Sequence, residues 1–509
     1  MHSVFERLGR ALVVLAVLVF PFELSGKKIP VCSQEDFDAV GDIILREIAL
    51  GEKNIRVEIA PGWYYFTEGH ISLENVKAGD VSLSICGQDV LITGAGKKST
   101  FSLDAGWIDK KSKTAAPLFD GMKRALSTAE FMDPETGLCR IAADEIPVKP
   151  GKAGNMYILI SQWYLGHYYR VKEIQDGYIY FWAPGATDSR DPRQSPNADF
   201  HYAKQLPRYA LLNHPDHKDV PVFKKRRIRS PRGTKIIRCD ASSFFRISGG
   251  ELGSVEISGI RFVGSGKGSP LLEFNYCNLQ GVTVSDCVFD GIKDDVLSVK
   301  STPSVSFIRN TVKNCHANGV VVATPAPNAV IKGNKFFNNG LDFNNYFCVV
   351  CRGVDFLIAD NYFEDFTYGA IGVGIWYGAA EKVLKCSGVV ENNECCLSRH
   401  FRAGEHRNLM DSGAIYTWTI NDGIIIRNNY IHDIDGPWEN RGIFCDDGTV
   451  NVKILSNRVE RISNSYCIDL RRVLSVETYS NSRIKRVNVG NVMDGNTVDG
   501  TVRFEHRDK

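Results

Sequence analysis

The sequence predicts an all-β fold, a right-handed parallel β-helix (solenoid) with an N-terminal capping helix and an inserted β-rich subdomain. Three observations lead to this prediction: a repeat in the second half of the chain, strand-like alternation within each repeat, and an amphipathic segment ahead of the first strands. The chain has 509 residues, which is long enough for a large buried core.

The N-terminus has the order of a secretory signal. Arg7 and Arg10 precede the apolar run ALVVLAVLVF, and small residues follow it. The run is too short to span a bilayer, and a basic, apolar and small order is typical of signal peptides. We therefore expect residues 1–26 to be a signal peptide and the protein to be exported to the periplasm, the cell surface or the medium. A membrane anchor, or a lipid anchor at Cys32, is the alternative.

Residues 33–100 are predicted to hold the capping helix and the first coils. The segment DFDAVGDIILREIAL has apolar residues at helical spacing, and Gly51 follows as a stop. The strand-like segment IRVEIAPGWYYF comes next. A helix at this place would cover the open end of a solenoid.

A repeat marks the main solenoid, residues 237–509. An aliphatic residue is followed, three positions later, by a ladder residue, and an apolar residue comes two positions after that. The ladder residues are Asn310, Asn334, Asn361, Asn393, Asn429, Asn457 and Asn496, with Gly259 and Asp286 in the same slot upstream. Their intervals of 24 to 39 residues, and the alternation of Val, Ile and Phe with polar residues, indicate stacked coils of strands.

The recurring Asn has two expected uses. It tolerates the left-handed backbone of a sharp bend, and stacked amides can hydrogen-bond along the stack. The Leu rhythm of a leucine-rich repeat is absent, and a propeller blade needs a longer period.

Residues 101–236 interrupt the pattern. They lack a ladder Asn and contain the aromatic, strand-like segments MYILISQWYL and YYRVKEIQDGYIYFWAPG. We predict an inserted β-rich subdomain here, with the basic run KKRRIRSPRG as a solvated loop.

Charge and cysteine content narrow the function. The formal net charge is +2, so no bulk electrostatic attraction to nucleic acid or an anionic membrane is expected. The 14 cysteines lack the spacing of a metal site, since the Cys348-x-x-Cys351 pair has no second pair. Many occupy alternating apolar positions and are predicted to be small buried hydrophobic residues.

Stacking the coils on the Asn ladder predicts a surface site. Ile415 and Ile443 align without a gap, and Ile468 aligns with them in the next coil. Alternation then turns every second residue outward, and Asp411 falls level with Glu439. One face would gather aromatic, acidic and basic side chains: Trp376, Tyr416, Trp418, Trp438, Asp411, Glu439, Asp446, Asp447, Arg471 and Arg472.

Such a face suits an extended carbohydrate. Aromatic rings stack on sugar rings, and carboxylates and guanidiniums hydrogen-bond hydroxyls or acids. We therefore expect a polysaccharide or oligosaccharide partner and a monomeric protein. The alternative is that the charged groups are only surface pairs between stacked strands.

The capping helix, the APGWYYF strand, the Asn ladder, and DSGAIY followed by NNYIHDI and CDDGT resemble the pectate-lyase-like β-helix carbohydrate-active enzymes. Within them the chain is most similar to glycoside hydrolase family 141-type proteins, which act on fucosides or xylans. The resemblance implies a glycosidase that degrades a plant or host polysaccharide with a pair of carboxyl groups and without a cofactor.

On this resemblance, the catalytic pair is Asp411 with Asp446 or Asp447. Asp446 is preferred because alternation turns it outward beside Trp418, whereas Asp447 precedes Gly448 and suits a turn. The expected substrate-binding residues are Trp376, Tyr416, Trp418, His432, Trp438, Glu439, Arg471 and Arg472.

Two other functions remain open at this point. A polysaccharide lyase acting on a uronic-acid polymer would use Arg471, Arg472 or Lys300 as base or clamp, with Ca²⁺ on Asp446 and Asp447. A non-catalytic glycan-binding β-helix would need no carboxylate pair.

Overall fold

The computed structural model describes residues 26–96, 101–117, 122–143, 151–152, 155–162, 165–186, 207–214, 218–224, 227–300, 304–323, 328–342, 344–374, 386–398, 411–418, 423–435, 439–446, 449, 451–463, 466–470 and 490–504. All but the last residue of the expected signal peptide lies outside these ranges. Within them, no helix combines the length and the apolar character needed to cross a membrane.

The capping helix predicted from the sequence is confirmed. Helix α1, Gln34–Ala49, begins after Ser33, whose Oγ accepts a hydrogen bond from the Asp36 backbone N–H at 3.1 Å. Its apolar face is buried at the end of the solenoid core through Phe37, Val40 and Ile44. The helix is followed by Gly51 in the left-handed conformation, as expected for a helix stop.

The solenoid is built from two long sheets of parallel strands, which confirms the predicted parallel β-helix. The 11-stranded sheet contains Ile71–Glu74, Phe245–Ser248, Leu272–Asn275, Leu297–Lys300, Val320–Ala323, Phe347–Arg352, Gly369–Gly374, Ser412–Thr417, Asn440–Cys445, Ile468–Leu470 and Val502–Phe504. The 21-stranded sheet contains Lys27–Val31, Asn54–Ile59, Gly62–Phe66, Lys77–Gly94, Glu251–Val263, Asn278–Ser285, Val288–Asp290, Ser304–Ile308, Thr311–Lys313, Asn328–Lys332, Lys335–Asn339, Asp355–Ala359, Tyr362–Phe366, Ser387–Glu391, Glu394–Cys396, Ile424–Arg427, Tyr430–His432, Val452–Leu455, Arg458–Glu460, Val492–Asp494 and Thr497–Val498.

The inserted subdomain is antiparallel, unlike the solenoid. Its eight-stranded sheet contains Lys123–Arg124, Glu130–Asp133, Leu138–Ala142, Gly151–Lys152, Tyr157–Gln162, Leu165–Gln175, Tyr178–Trp182 and Arg208–Leu212. A three-stranded sheet of Gly106–Asp109, Thr114–Ala115 and Ile236–Cys239 lies at its two chain ends. The basic run that was expected to be a loop contributes the strand Arg227–Arg229, which pairs with Val222–Lys224.

The solenoid core is one continuous apolar column. Phe262, Phe289, Phe307, Phe336 and Phe363 stack from coil to coil with ring centroids 4.8 to 6.5 Å apart. The cysteines confirm the prediction of small buried residues, because 12 of the 14 are buried and all 14 are free thiols.

The Asn ladder forms as predicted along the stack. The backbone N–H and the side-chain Nδ2 of Asn334 both donate to Asn361 Oδ1, each at 2.9 Å, and Asn361 makes the same two bonds to Asn393. The series runs from Asn310 to Asn496. Each coil is therefore tied to the next by buried amides.

The bend itself lies one residue earlier than predicted. The left-handed residues are those before the ladder Asn, such as Asp360 (φ 57°) and Asn428 (φ 55°). Asp286 and Gly259 occupy this left-handed position, and Cys287 takes the ladder level, since its N–H donates to Asn310 Oδ1 at 2.9 Å. The prediction that the ladder Asn adopts the left-handed conformation is wrong, because its amide is buried along the stack and the bend falls on the preceding residue.

Candidate functional site

The candidate site lies on the outer face of the 11-stranded sheet, at the strands Ser412–Thr417 and Asn440–Cys445. The predicted register is confirmed: Ile415 pairs with Ile443, and Ile443 pairs with Ile468. These three isoleucines belong to the solenoid core.

The outward direction of the neighbouring aromatic residues is also confirmed. Tyr416, Trp418 and Phe444 lie outside the solenoid core, in a second apolar cluster that also contains Leu159 and Phe223 of the inserted subdomain. The expectation that these rings form an open platform for sugars is wrong, however. Tyr416 is 3% exposed, Trp418 6% and Phe444 0%, because apolar side chains of the subdomain pack in the same cluster.

Arg441 is the centre of the site. Its guanidinium is fully buried and contacts carboxylates from three consecutive coils. Nε donates to Asp469 Oδ2 at 2.5 Å, Nη1 donates to Asp411 Oδ1 at 3.4 Å, and Nη2 lies 3.3 Å from Glu439 Oε2. The group also lies 3.9 Å from the centre of the Phe444 ring, a cation–π contact that fixes its plane.

A second arginine completes the cluster from the following coil. Arg503 Nε and Nη2 donate to the two oxygens of Asp469 at 2.7 Å each. Asp469 is fully buried and accepts charge-assisted bonds from both arginines, so it holds the cluster together. Among the described residues, two guanidiniums thus face three carboxylates.

Asp411 and Glu439 are the accessible carboxylates of this cluster. Their side chains are 17% and 16% exposed, whereas those of Arg441 and Asp469 are fully buried. The two residues are at the same level in adjacent coils, as predicted, because Ser412 pairs with Asn440. Asp411 Oδ1 is 3.4 Å from Nη1 of Arg441, and Glu439 Oε2 is 3.3 Å from Nη2. The two nitrogens of a guanidinium are about 2.3 Å apart, so these carboxylate oxygens of Asp411 and Glu439 lie no more than about 9 Å from each other.

Both residues have a left-handed backbone. The φ angle is 55° at Asp411 and 50° at Glu439. Asp tolerates this conformation, but for a Glu side chain it costs on the order of 1 kcal/mol, and such strain clusters at functional sites. The bend aims both carboxyl groups at Arg441 from the start of their strands.

Asp446 lies at the opposite end of its strand. Glu439 precedes the strand Asn440–Cys445 and Asp446 follows it, so the backbones of these two residues are roughly 20 Å apart along the strand. Asp411 is level with Glu439 and is therefore separated from Asp446 by a similar backbone distance. Its Oδ2 accepts a short hydrogen bond from the Tyr416 hydroxyl. Burial, and then the neighbouring Asp446 charge, raise the pKa of Tyr416 well above its usual value, so this phenol stays protonated and donates. Asp411 shares Arg441 with Glu439, and the charges of Asp411 and Asp446 both act on Tyr416, so the pair Asp411 with Asp446 stays a prediction beside the pair Asp411 with Glu439.

His432 belongs to a different sheet. It lies on the strand Tyr430–His432, where its Nδ1 is 2.7 Å from Asp433 Oδ2 and its Nε2 is 3.2 Å from Glu394 Oε1. It is therefore not part of the cluster around Arg441. Five further predicted site residues lie outside the described residues: Trp376, Trp438, Asp447, Arg471 and Arg472.

Strict alternation concealed Arg441 in the sequence. Arg441 lies two residues before the inward-facing Ile443, so strict alternation predicts that its side chain points into the core. In the structure Ala414 and Ile415, consecutive residues, both belong to the core, and the same holds for the equivalent pairs in neighbouring coils. The alternation shifts by one residue at this point, and the preceding position, Arg441 in its coil, turns outward. The available signal in the sequence was the charge of Arg441, because a charged residue is unfavourable at a position that alternation assigns to the core.

The cluster is poorly suited to Ca²⁺. Hard cations require several oxygen ligands without competing positive charge, and here two guanidiniums occupy the carboxylates. Calcium bound by Asp446 and Asp447, the lyase alternative, stays a prediction because Asp447 lies outside the described residues.

Several solved structures are similar to this one. A glycoside hydrolase superposes with a TM-score of 0.55 at 12% identity, covering 93% of this chain and 97% of that one. XylC in complex with xylose gives a TM-score of 0.45 at 9% identity, covering 93% and 76%. The A-module of the mannuronan C-5 epimerase AlgE4 of Azotobacter vinelandii gives 0.31 at 9% identity, covering 94% and 87%. No protein-family model and no curated protein sequence matches the chain. At 12% identity, the likeness to the glycoside hydrolase shows a shared fold alone, in agreement with the parallel β-helix described above.

Proposed function

We propose that the protein is an exported glycoside hydrolase that cleaves a polysaccharide or oligosaccharide with the carboxyl pair Asp411 and Glu439. The observation that carries the proposal is that these two partly exposed carboxyl groups, from adjacent coils, share one buried guanidinium within about 9 Å of each other. Glycosidases need two carboxyl groups at about 5 to 9.5 Å, one to protonate the leaving oxygen and one to act as base or nucleophile.

Arg441 holds both carboxyl groups at similar distances. Its Nη1 donates to Asp411 Oδ1 at 3.4 Å, and its Nη2 lies 3.3 Å from Glu439 Oε2. We assign the two roles, acid for the glycosidic oxygen and base or nucleophile at the anomeric carbon, to these two residues as a pair.

A row of polar side chains at the other end of these strands, roughly 20 Å from the carboxyl pair, offers a second contact surface for a long substrate. Lys300, Arg352 and Asp446 occupy one register level on the outer face. Lys300 and Arg352 are two coils apart and Arg352 and Asp446 three, and coils are about 4.8 Å apart, so these groups can contact different sugars of an extended chain. Asp446, held by Tyr416, is assigned to bind sugar hydroxyls.

The test uses released products rather than rate alone. Wild type is incubated with a panel of plant and host polysaccharides, with and without chelator, and the products are analysed by reducing-end release and mass spectrometry. Saturated products that persist with chelator and disappear in Asp411→Asn support the hydrolase. Asp360→Asn is the matched control, since Asp360 is another left-handed Asp at a solenoid bend and is remote from the site.

Two results would contradict the proposal. Unsaturated products that disappear with chelator indicate a calcium-dependent lyase. Binding of a polysaccharide without any product indicates a glycan-binding β-helix.

A further inference from the structure

We propose that Glu394, Cys396 and His432 form a binding site for one divalent metal ion that favours thiolate and imidazole ligands, of which Zn²⁺ is the type. The site lies on the 21-stranded sheet, apart from the carboxyl pair, and it does not depend on the proposed function. Among the residues that the structure describes, this is the one group of three potential ligands whose atoms all lie within 4.8 Å of each other.

The three ligands come from two adjacent coils. Glu394 and Cys396 lie on one strand, two residues apart, so their side chains leave the same face. His432 pairs with Cys396 on the next strand. A tetrahedral Zn²⁺ holds its ligand atoms about 3.5 Å apart, and His432 Nε2 is already 3.2 Å from Glu394 Oε1. Because the Glu394 side chain is about half exposed, it can adjust to close the set.

The imidazole is fixed for this role by Asp433 and by the Tyr430 ring. Its Nδ1 is 2.7 Å from Asp433 Oδ2, and Arg461 holds that carboxylate with two hydrogen bonds of 2.9 and 3.0 Å. The Tyr430 ring stacks on it with centroids 4.2 Å apart. Metal-binding histidines commonly donate the distal N–H to a carboxylate, which orients the ring and raises its basicity. This arrangement directs Nε2 toward Glu394 and Cys396.

The local charge balance favours a cation. Arg458 and Arg461 neutralise Glu460 and Asp433. Glu394 contacts the imidazole, and the neighbouring Glu364 accepts from the Tyr362 hydroxyl, which is also 3.6 Å from Cys396 Sγ. Among the residues that the structure describes, two carboxylates therefore face the thiol without an arginine ion pair. On binding, the Cys396 thiol releases its proton and the thiolate sulfur becomes a ligand, while the fourth position of the ion is filled by water.

The consequence is a link across coils. The metal would join the strands Glu394–Cys396 and Tyr430–His432, and the chain between them contains Asp411 and the strand Ser412–Thr417. Binding would therefore stabilise the base of the segment that carries the candidate active site.

The experiment is a metal titration of the untagged full-length chain after removal of metals with a chelator. We expect one equivalent of Zn²⁺ to bind, and one equivalent of Co²⁺ to give a thiolate-to-metal charge-transfer absorption. Cys396→Ser should abolish that absorption, Cys396→Ser and Glu394→Gln should each weaken Zn²⁺ binding at least about 100-fold, and Asp433→Asn should weaken it about 10- to 100-fold. Cys86→Ser, which removes a half-buried thiol elsewhere, is the control and should bind like wild type.

The proposal is overturned if wild type shows no thiolate absorption with Co²⁺, or if the Cys396 and Glu394 variants bind Zn²⁺ as wild type does. Circular dichroism verifies that each variant is folded. Because the Glu394 side chain is about half exposed, its substitution tests the site even where the Cys396 variant does not fold.

Discussion

Substituting a ladder asparagine in the middle of the stack, Asn393→Ala, should destabilise the solenoid far more than its size suggests. Asn393 is 1% exposed and its side chain makes four hydrogen bonds of 2.9 to 3.0 Å. Asn393 Oδ1 accepts from the backbone N–H and the Nδ2 of Asn361. Asn393 Nδ2 donates to the Ile358 carbonyl and to Asn429 Oδ1. The alanine variant leaves the two Asn361 donors buried without an acceptor.

The magnitude follows from those two orphaned donors. A buried polar group that loses its partner costs about 1 to 3 kcal/mol, so the free energy of unfolding should fall by about 3 to 5 kcal/mol in total. The assay is urea unfolding followed by circular dichroism and by tryptophan fluorescence. Coincidence of the two transitions shows whether a single free energy describes unfolding.

The control is at the end of the ladder. Asn496 accepts from both Asn457 donors at 2.9 Å and donates to the Ile454 and Asp494 carbonyls at 2.8 and 3.2 Å, but unlike Asn393 it is only half-buried. Water can replace its amide, so Asn496→Ala should cost about 1 kcal/mol. If Asn393→Ala costs no more than Asn496→Ala, the ladder does not carry the stability that its geometry indicates.

Three further predictions concern single side chains. Arg441→Met leaves Asp411 and Glu439 without their shared cation and should lower the free energy of unfolding in urea by about 3 kcal/mol or more. The control Arg309→Met breaks an exposed ion pair and should lower it by under about 1 kcal/mol. Equal losses would refute the central role of the buried guanidinium. A Cβ at Gly372 would lie 2.7 Å from the Trp418 indole, so Gly372→Ala should displace that ring and cost about 1 to 3 kcal/mol by thermal unfolding, and an unchanged melting temperature would contradict the packing. Burial raises the pKa of Asp295 to about 6 from the ordinary 3.8, so the folded protein holds a proton that the unfolded chain has lost between about pH 4 and 6. Its contribution to stability should therefore fall as pH rises through that window, by on the order of 2 kcal/mol, and Asp295→Asn should lack this fall.

The periodic parts of the molecule could be predicted from the sequence. The Asn ladder, the register of Ile415 with Ile443 and Ile468, and the capping helix all depend on local patterns that repeat along the chain. Each coil solves the same packing problem, so one register determines the next.

What the sequence could not supply arises from non-local packing and from breaks in the repeat. Tyr416 and Trp418 point outward as alternation requires, yet the inserted subdomain covers them, and no pattern within the coil records that cover. Arg441 was missed because the two consecutive residues after it both face the core. The alternation of inward and outward side chains therefore shifts by one residue, and Arg441 faces outward. Glu439 was recognised as level with Asp411, but only the structure shows that the two carboxyl groups share the Arg441 guanidinium.

The most direct test of the central claim is the comparison of kcat/KM for three variants on one cleaved substrate. If Asp411 and Glu439 are the pair, Asp411→Asn and Glu439→Gln should each lower kcat/KM about 100- to 10,000-fold. Asp446→Asn, which changes a group held by Tyr416 at the other end of the strand, should lower it no more than about 10-fold through one lost contact to the sugar. An Asp446→Asn variant as inactive as Asp411→Asn, together with an active Glu439→Gln, would contradict the account and identify Asp446 as the second catalytic carboxylate.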